Sequence, residues 1–446
     1  MEQKIKIGAI AVIALLVIAG IATAVVLTNT GDDKNNSSKK VDTDFASMTW
    51  GDVVAEARGQ TVNWYIWDGD VNVNKFIEND VSAEAEKYGV KINLVGVSDP
   101  AHIVTKVRTE LNNGITKNGS VDMAWLCAAY FKELKENKCL FGNEWAWTLP
   151  NTSLVDWSID SIQNDAGTPV EGYESPWGTS EFQLVVYDPS NTIEKMPTNF
   201  IEFMEWAKSN PNKFTYCSPV GGDAFYGLAL MKSILYELDN DGSGGYKLYT
   251  GTEPGYERYT PDKWANKTQS EFEEATNYLW KYLKDLDAVD YEGSGKYPVR
   301  SVINQALTNK QVLFSFTNAS AGVTPEVRNG IIPRGSHPIP MTTGLADTNY
   351  QLIPLNATSK AGAMVVANIL LQPDMQAKWL SQTGNNISIS EGKMTPTMLK
   401  TYNDNVDRDP GTFLTSEQIA ASSAPDVTSS LIPWMQEIWK KKISGS

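Results

Sequence analysis

The stretch EGYESPWGTSEFQLVVYDPS, residues 171–190, changes character halfway. Its first half carries the turn-forming residues Gly172, Pro176 and Gly178 around the aromatics Tyr173 and Trp177. Such residues supply the backbone angles of tight turns. From Phe182 to Tyr187 the chain is mostly apolar and reads as a buried strand. A large aromatic in a turn is costly to leave in water, so Trp177 asks for something to cover it.

The flanking chain alternates strand and helix patterns. Strands are expected over 61–67, 91–97 and 121–126, with helices over 74–88, 101–112 and 128–136. Ile103, Val107 and Leu111 recur every fourth residue, as on one face of a helix. TVNWYIW, over 61–67, is apolar nearly throughout, the composition of a strand covered on both faces. This alternation predicts a parallel α/β body. After residue 190 the pattern predicts helices over 197–209, 224–238, 270–286 and 302–308, and strands over 214–217, 312–316 and 350–354. Helices follow over 361–371, 375–381 and 431–441.

A chain of 446 residues is too long for one compact core, so two lobes are expected. The net charge of -15 argues against nucleic acid as a partner. His102 and His337 are the only histidines and lie far apart in sequence, which weakens a histidine-based metal site or triad. Cys127, Cys139 and Cys217 form no CxxC pair and are read as buried small hydrophobes. No cofactor or metal is expected. Asp239 to Gly244 begins like a calcium loop, but Thr250 stands where a bidentate Glu closes such loops, so a solvated turn is the reading.

Residues 7–27, IGAIAVIALLVIAGIATAVVL, carry no charge and match the roughly 20 apolar residues of a membrane span. Lys4 and Lys6 precede them, which directs the rest of the chain outward. The segment reads as an uncleaved anchor, with a cleaved signal as the alternative because Ala22-Thr23-Ala24 resembles a peptidase site. A polar tether over 31–46 follows. Both readings put the body on the extracellular side of the membrane.

The order of pieces resembles a type II extracellular solute-binding protein of ABC importers, similar in plan to maltose-binding proteins. SPWGTSEFQLVVYD followed by MPTNFIEFMEWAKSNPNKF resembles that family's first crossing between lobes. NQALTNKQVLFSFTN resembles the helix, turn and strand that bring a loop to the ligand. YQLIPLNATSKAGAMVVANILLQPDMQAKWL resembles the return crossing and its helix pair. Within the family, EGYESPWG and EWAKSNPNKFTY are most similar to the YnjB-like branch. The resemblance implies a two-lobed periplasmic-binding-protein fold, with lobe 1 over 47–182 and 349–446 and lobe 2 over 183–348. It implies a monomer that closes on a small molecule and presents it to a membrane permease, without chemistry of its own. The rival reading is an anchored hydrolase that uses paired carboxylates.

In such α/β bodies ligands sit beyond the carboxyl ends of the strands. Trp67, Asp68 and Gly69 follow the first strand, and Tyr130 follows the third. Trp177 and Thr179 stand in the Ser-Pro-Trp-Gly stretch, Gly222, Asp223 and Phe225 open the helix over 224–238, and Asn318 ends the strand over 312–316. These are the candidate ligand contacts. The plainer readings are a core Trp67 with Asp68 as a helix cap, and Asp223 as the N-cap of its own helix. Trp177 is expected at the pocket.

Overall fold

The computed structural model describes residues 45–445 except 143, 222, 292–295, 342–343, 408–413, 415–418 and 420–422. The apolar segment 7–27 and most of the tether lie outside the described residues. Among those described, no helix is long and apolar enough to cross a membrane.

The first strand, β1 (Thr61–Trp67), buries Val62, Trp64 and Ile66 completely on one face and leaves Asn63 and Tyr65 half-buried on the other. The coverage expected on both faces is therefore deep on one side only. β1 pairs in parallel with β2 (Lys91–Val97) and β3 (Met123–Trp125). Parallel neighbours need a crossover, and the helices Ser82–Lys87 and Ala101–Asn112 provide it. A short hairpin follows, β4 (Asn164–Asp165) with β5 (Thr168–Pro169). The chain then forms β6 (Glu174–Glu181) and, one residue later, β7 (Gln183–Val186). A second hairpin pairs β8 (Leu238–Asp239) with β9 (Lys247–Leu248). In its turn Asp241 accepts the backbone N–H groups of Ser243 and Gly245, each at 2.8 Å, as a closed solvent-facing turn does. The remaining strands are β10 (Phe314–Thr317), β11 (His337–Ile339), β12 (Gly344–Leu352) and β13 (Ser423–Ala424).

Two larger sheets result. In the first the order is β13-β12-β3-β1-β2, with β6 on the other edge of β12; in the second it is β10-β7-β11. β12 runs antiparallel to both β3 and β6, so the first body is a mixed sheet and not the wholly parallel one expected. Each sheet has its own buried apolar core. The molecule is a two-lobed α/β protein, and the chain passes between sheets at Phe182 and again between β11 and β12.

The structure corrects the reading of residues 171–190. Ser175-Pro176-Trp177-Gly178 is not a turn but part of β6, paired with β12 over seven residues. The register slips between Asn349 and Tyr350, so that Pro176 faces Tyr350 and Gly178 faces Asn349. Trp177 is the extra residue of that β-bulge, and a bulge re-aims a side chain. Its indole turns into the first lobe, 1% exposed, among Trp64, Trp125 and Trp379 at centroid distances of 5.6, 5.3 and 4.4 Å. Trp177 is therefore a core residue and not a pocket residue. Its carbonyl accepts the buried Gln376 side chain at 2.8 Å. Gly178 serves the same packing, since a Cβ there would lie 2.4 Å from the Trp379 indole nitrogen.

The cysteines are all free, with Cys139 and Cys217 buried as expected and Cys127 only half-buried. Cys127 ends up at the mouth of β3, where its thiol contacts the Thr348 carbonyl at 3.6 Å.

Truncating a buried aromatic of this kind typically costs about 3–5 kcal/mol. Trp177→Ala is expected to lower unfolding stability by that amount, read as a shifted midpoint in a denaturant titration. A stability loss below about 1 kcal/mol would contradict the packed indole cluster.

Candidate functional site

The side chain that organises the lobe junction is Glu181, the last residue of β6, only 1% exposed. One carboxylate oxygen accepts the backbone N–H of Ser320 at 2.9 Å. The other accepts the side-chain amide of Asn386. The first partner belongs to the second lobe and the second to the first. Ser320 is held in place by the turn that closes β10: Thr317 accepts the Ala319 N–H at 3.2 Å and donates to the Ala319 carbonyl at 2.6 Å. Asn386 is held by two backbone bonds to Thr179, at 3.0 and 2.9 Å.

Burial pushes the Glu181 carboxyl up to about 7, and the bonds from Ser320 only partly offset it. Beside it opens a cavity of about 480 Å³, a volume suited to a small ligand. Its floor is Thr179, Ser180 and Glu181 of β6 with Ala346 of β12. Ile159, Ile162 and residues 386–389 wall it from the first lobe, while Tyr256, Ser320 and Ala321 wall it from the second.

The expected contacts divide into separate groups. Trp67, Asp68 and Gly69 lie exposed at the carboxyl end of β1, and Tyr130 is half-buried beyond β3. The Trp67 indole, 42% exposed, folds over Gly69, where a Cβ would lie 2.0 Å from a ring atom. Asp68 does not cap the next helix; Asp70 does, accepting the Asn72 and Val73 N–H groups at 2.9 and 3.1 Å. Asp223 also departs from its expected cap role. Its carboxylate accepts the N–H of Arg300, at 2.6 Å, and so caps the helix Arg300–Thr308 rather than its own. Arg300 in turn binds the Phe316 carbonyl at 2.6 Å, grips Glu326 through two bonds of 2.7 and 2.6 Å, and lies 5.2 Å from the Tyr226 ring. Phe225, 38% exposed, stands edge-on to Tyr226 at 5.4 Å. Asn318 is half-buried just past β10. Gly222 lies outside the described residues.

Of the expected contacts only Thr179 lines the cavity, and its hydroxyl is already given to the Ile387 carbonyl at 3.0 Å. Glu181, Ser320 and Asn386 were not anticipated. A signal for Glu181 was present, a lone acid between Trp177 and a buried apolar strand. Nothing local marks Ser320 or Asn386, which reach Glu181 from 139 and 205 residues away.

Two α/β lobes joined by crossing strands, with a cavity at the junction, define the solute-binding-protein architecture. The chain belongs to the bacterial extracellular solute-binding protein family, which matches residues 81–398. It is therefore extracellular or periplasmic in its working location. Protein YnjB of Escherichia coli K12 is 30% identical over 331 residues, covering 74% of this chain and 79% of that protein. An ABC transporter structure from Clostridium perfringens aligns with a TM-score of 0.55 at 15% identity, over 86% of this chain and 99% of its own. A putative extracellular solute-binding protein from Bordetella parapertussis aligns at 0.57 and 11% identity, over 87% and 99%. At such identities the structures share the fold.

The raised carboxyls set a pH dependence. A carboxyl with a folded-state value above its unfolded value holds its proton more tightly when folded. Stability is then greatest below the unfolded value and falls as pH rises through the folded one. Glu181, raised to about 7, and Glu237, buried and raised to about 8, act in the same direction. The unliganded protein is expected to melt at a higher temperature at pH 5 than at pH 8, by calorimetry. Glu181→Gln should shrink that difference, the Glu181 share being at most about 3 kcal/mol at 1.36 kcal/mol per pKa unit. A melting temperature that climbs from pH 5 to pH 8 would refute it.

Proposed function

We propose that this protein is the capture subunit of an ABC importer. A small solute enters at the lobe junction, the lobes close on it about the crossings at Phe182 and between β11 and β12, and a membrane permease reads the closed shape. The observation that carries this reading is the cavity whose walls come from both lobes and from the strands between them. Closure needs a bistable junction, and Glu181 already ties a second-lobe amide to a first-lobe side chain. The exposed Trp67 and Phe225 offer further apolar surface for the solute or the permease.

The protein works as a monomer and performs no chemistry. The family match supports capture and gives the rival hydrolase no support. Residues 7–27 hold the body at the outer face of the membrane, and the polar tether gives it reach to the permease.

Binding to the native state alone raises stability by about 2.7 kcal/mol when free ligand is a hundredfold above Kd. The full chain in detergent, screened by thermal shift against cations, sugars, oxyanions and peptides, is expected to respond to one class and to leave that compound unaltered. Turnover of a screened ester or glycoside would refute the capture role. Protease added to intact cells is expected to remove the body, and full protection would refute the outward orientation.

A further inference from the structure

The junction cavity is one-sided in charge. Asp156, Asp160, Glu181 and Glu391 line it, and among the described residues its lining includes no lysine, arginine or histidine. Asp156 is answered by Lys393, just outside the wall, at 3.4 Å. Glu181 is met by two amides, neither of which carries charge. Asp160 takes an amide hydrogen from Asn164 at 2.9 Å. A carboxylate offers about four acceptor sites, so Glu181 keeps two after both amides are counted. Beside it lies the buried Ser320 hydroxyl, which helps to hold the Glu181 charge. These acids share a lining that also holds the apolar Ile159, Ile162, Leu380 and Ile387, and the half-buried Tyr256, an aromatic suited to a positive charge.

An anion placed here would be repelled by the lining acids. A neutral solute would meet a Glu181 carboxyl that keeps its proton up to about pH 7, whereas a cation favours the ionised form. We propose that the cavity takes a small organic cation, an ammonium group on an apolar body, with the charge held by Glu181 and Asp160 and the body laid on Ile159, Ile162 and Leu380. This rests on the reading of the cavity as the capture site. The titratable groups that share the cavity with Glu181 are Asp156, Asp160, Glu391 and Tyr256. Burial raises the Glu181 carboxyl to about 7, so it must lose a proton for the cation to bind best. Cation binding is therefore coupled to proton release near neutral pH.

The test is calorimetric titration of the full chain in detergent with three probes of equal length: 1,6-diaminohexane, uncharged 1,6-hexanediol and the dianion adipate. The diamine is expected to bind at least tenfold more tightly than the diol, and adipate not at all. Its affinity should rise about tenfold from pH 6 to pH 8, following the ionised fraction of Glu181. Glu181→Gln should lose at least tenfold and flatten that rise, while Lys87→Ala, exposed at the end of the helix Ser82–Lys87 and outside the cavity lining, should change neither. If Glu181→Gln does not fold, Asp160→Asn is expected to weaken diamine binding while the rise from pH 6 to pH 8 stays. Equal binding of diamine and diol, preference for adipate, unchanged affinity in the folded acid variants, or an unchanged pH slope in folded Glu181→Gln would overturn the cation assignment. If none of the three probes binds but an oxyanion or sugar stabilises the chain, the cation assignment falls and the capture reading stands. If no solute class stabilises it, the capture reading falls.

Discussion

The antiparallel pairing of β6 with β12 is the constraint on which the molecule depends. Both strands belong to the first sheet at one end and lead into the second sheet at the other. Their buried backbone groups must be paired, and each supplies the partner for the other. That requirement places Glu181 and Ala346 opposite one another at the point where the lobes meet. The cavity floor is therefore set by a ladder of backbone bonds, the part of the junction least able to shift as lobes move.

The bulge in that ladder separates two tasks. On the lobe 1 side it throws Trp177 into a cluster of four indoles, tying β6 to the helix Pro373–Thr383 through Trp379. Four residues further along, the same strand presents Glu181 to the other lobe. Aromatic contacts in a close-packed core resist displacement, so the tryptophan cluster fixes the base from which Glu181 reaches across. A carboxyl buried with two amide partners and no counter-charge is less stable than an apolar residue in the same space would be. Its retention at the junction is understandable if the missing charge arrives with the ligand.

The two readings of residues 171–190 show how a sequence misleads. Pro176 and Gly178 are turn residues by composition, yet neither makes a turn. Pro176 sits in a strand beside a bulge, where a missing N–H is tolerated. Gly178 is small because Trp379 occupies the space of a side chain. Trp379 is 201 residues away, beyond any local pattern. Asp223 illustrates the same lesson, since its position before a helix suggested a local cap while its carboxylate serves a helix that begins 77 residues later.

The strand–helix alternation, the division into two lobes and the family were legible in the sequence, because hydrophobic periodicity and the order of elements are local properties of the chain. The placement of the turns after β1 and β3 was legible too, since they must lie at the carboxyl edge of parallel strands. Only the tertiary structure decided which aromatic is core and which acid faces the junction. Burial of Trp177 and the raised carboxyl of Glu181 both arise from atoms brought together across more than a hundred residues, and the free energy of desolvating a group depends on those atoms and not on its neighbours in the chain.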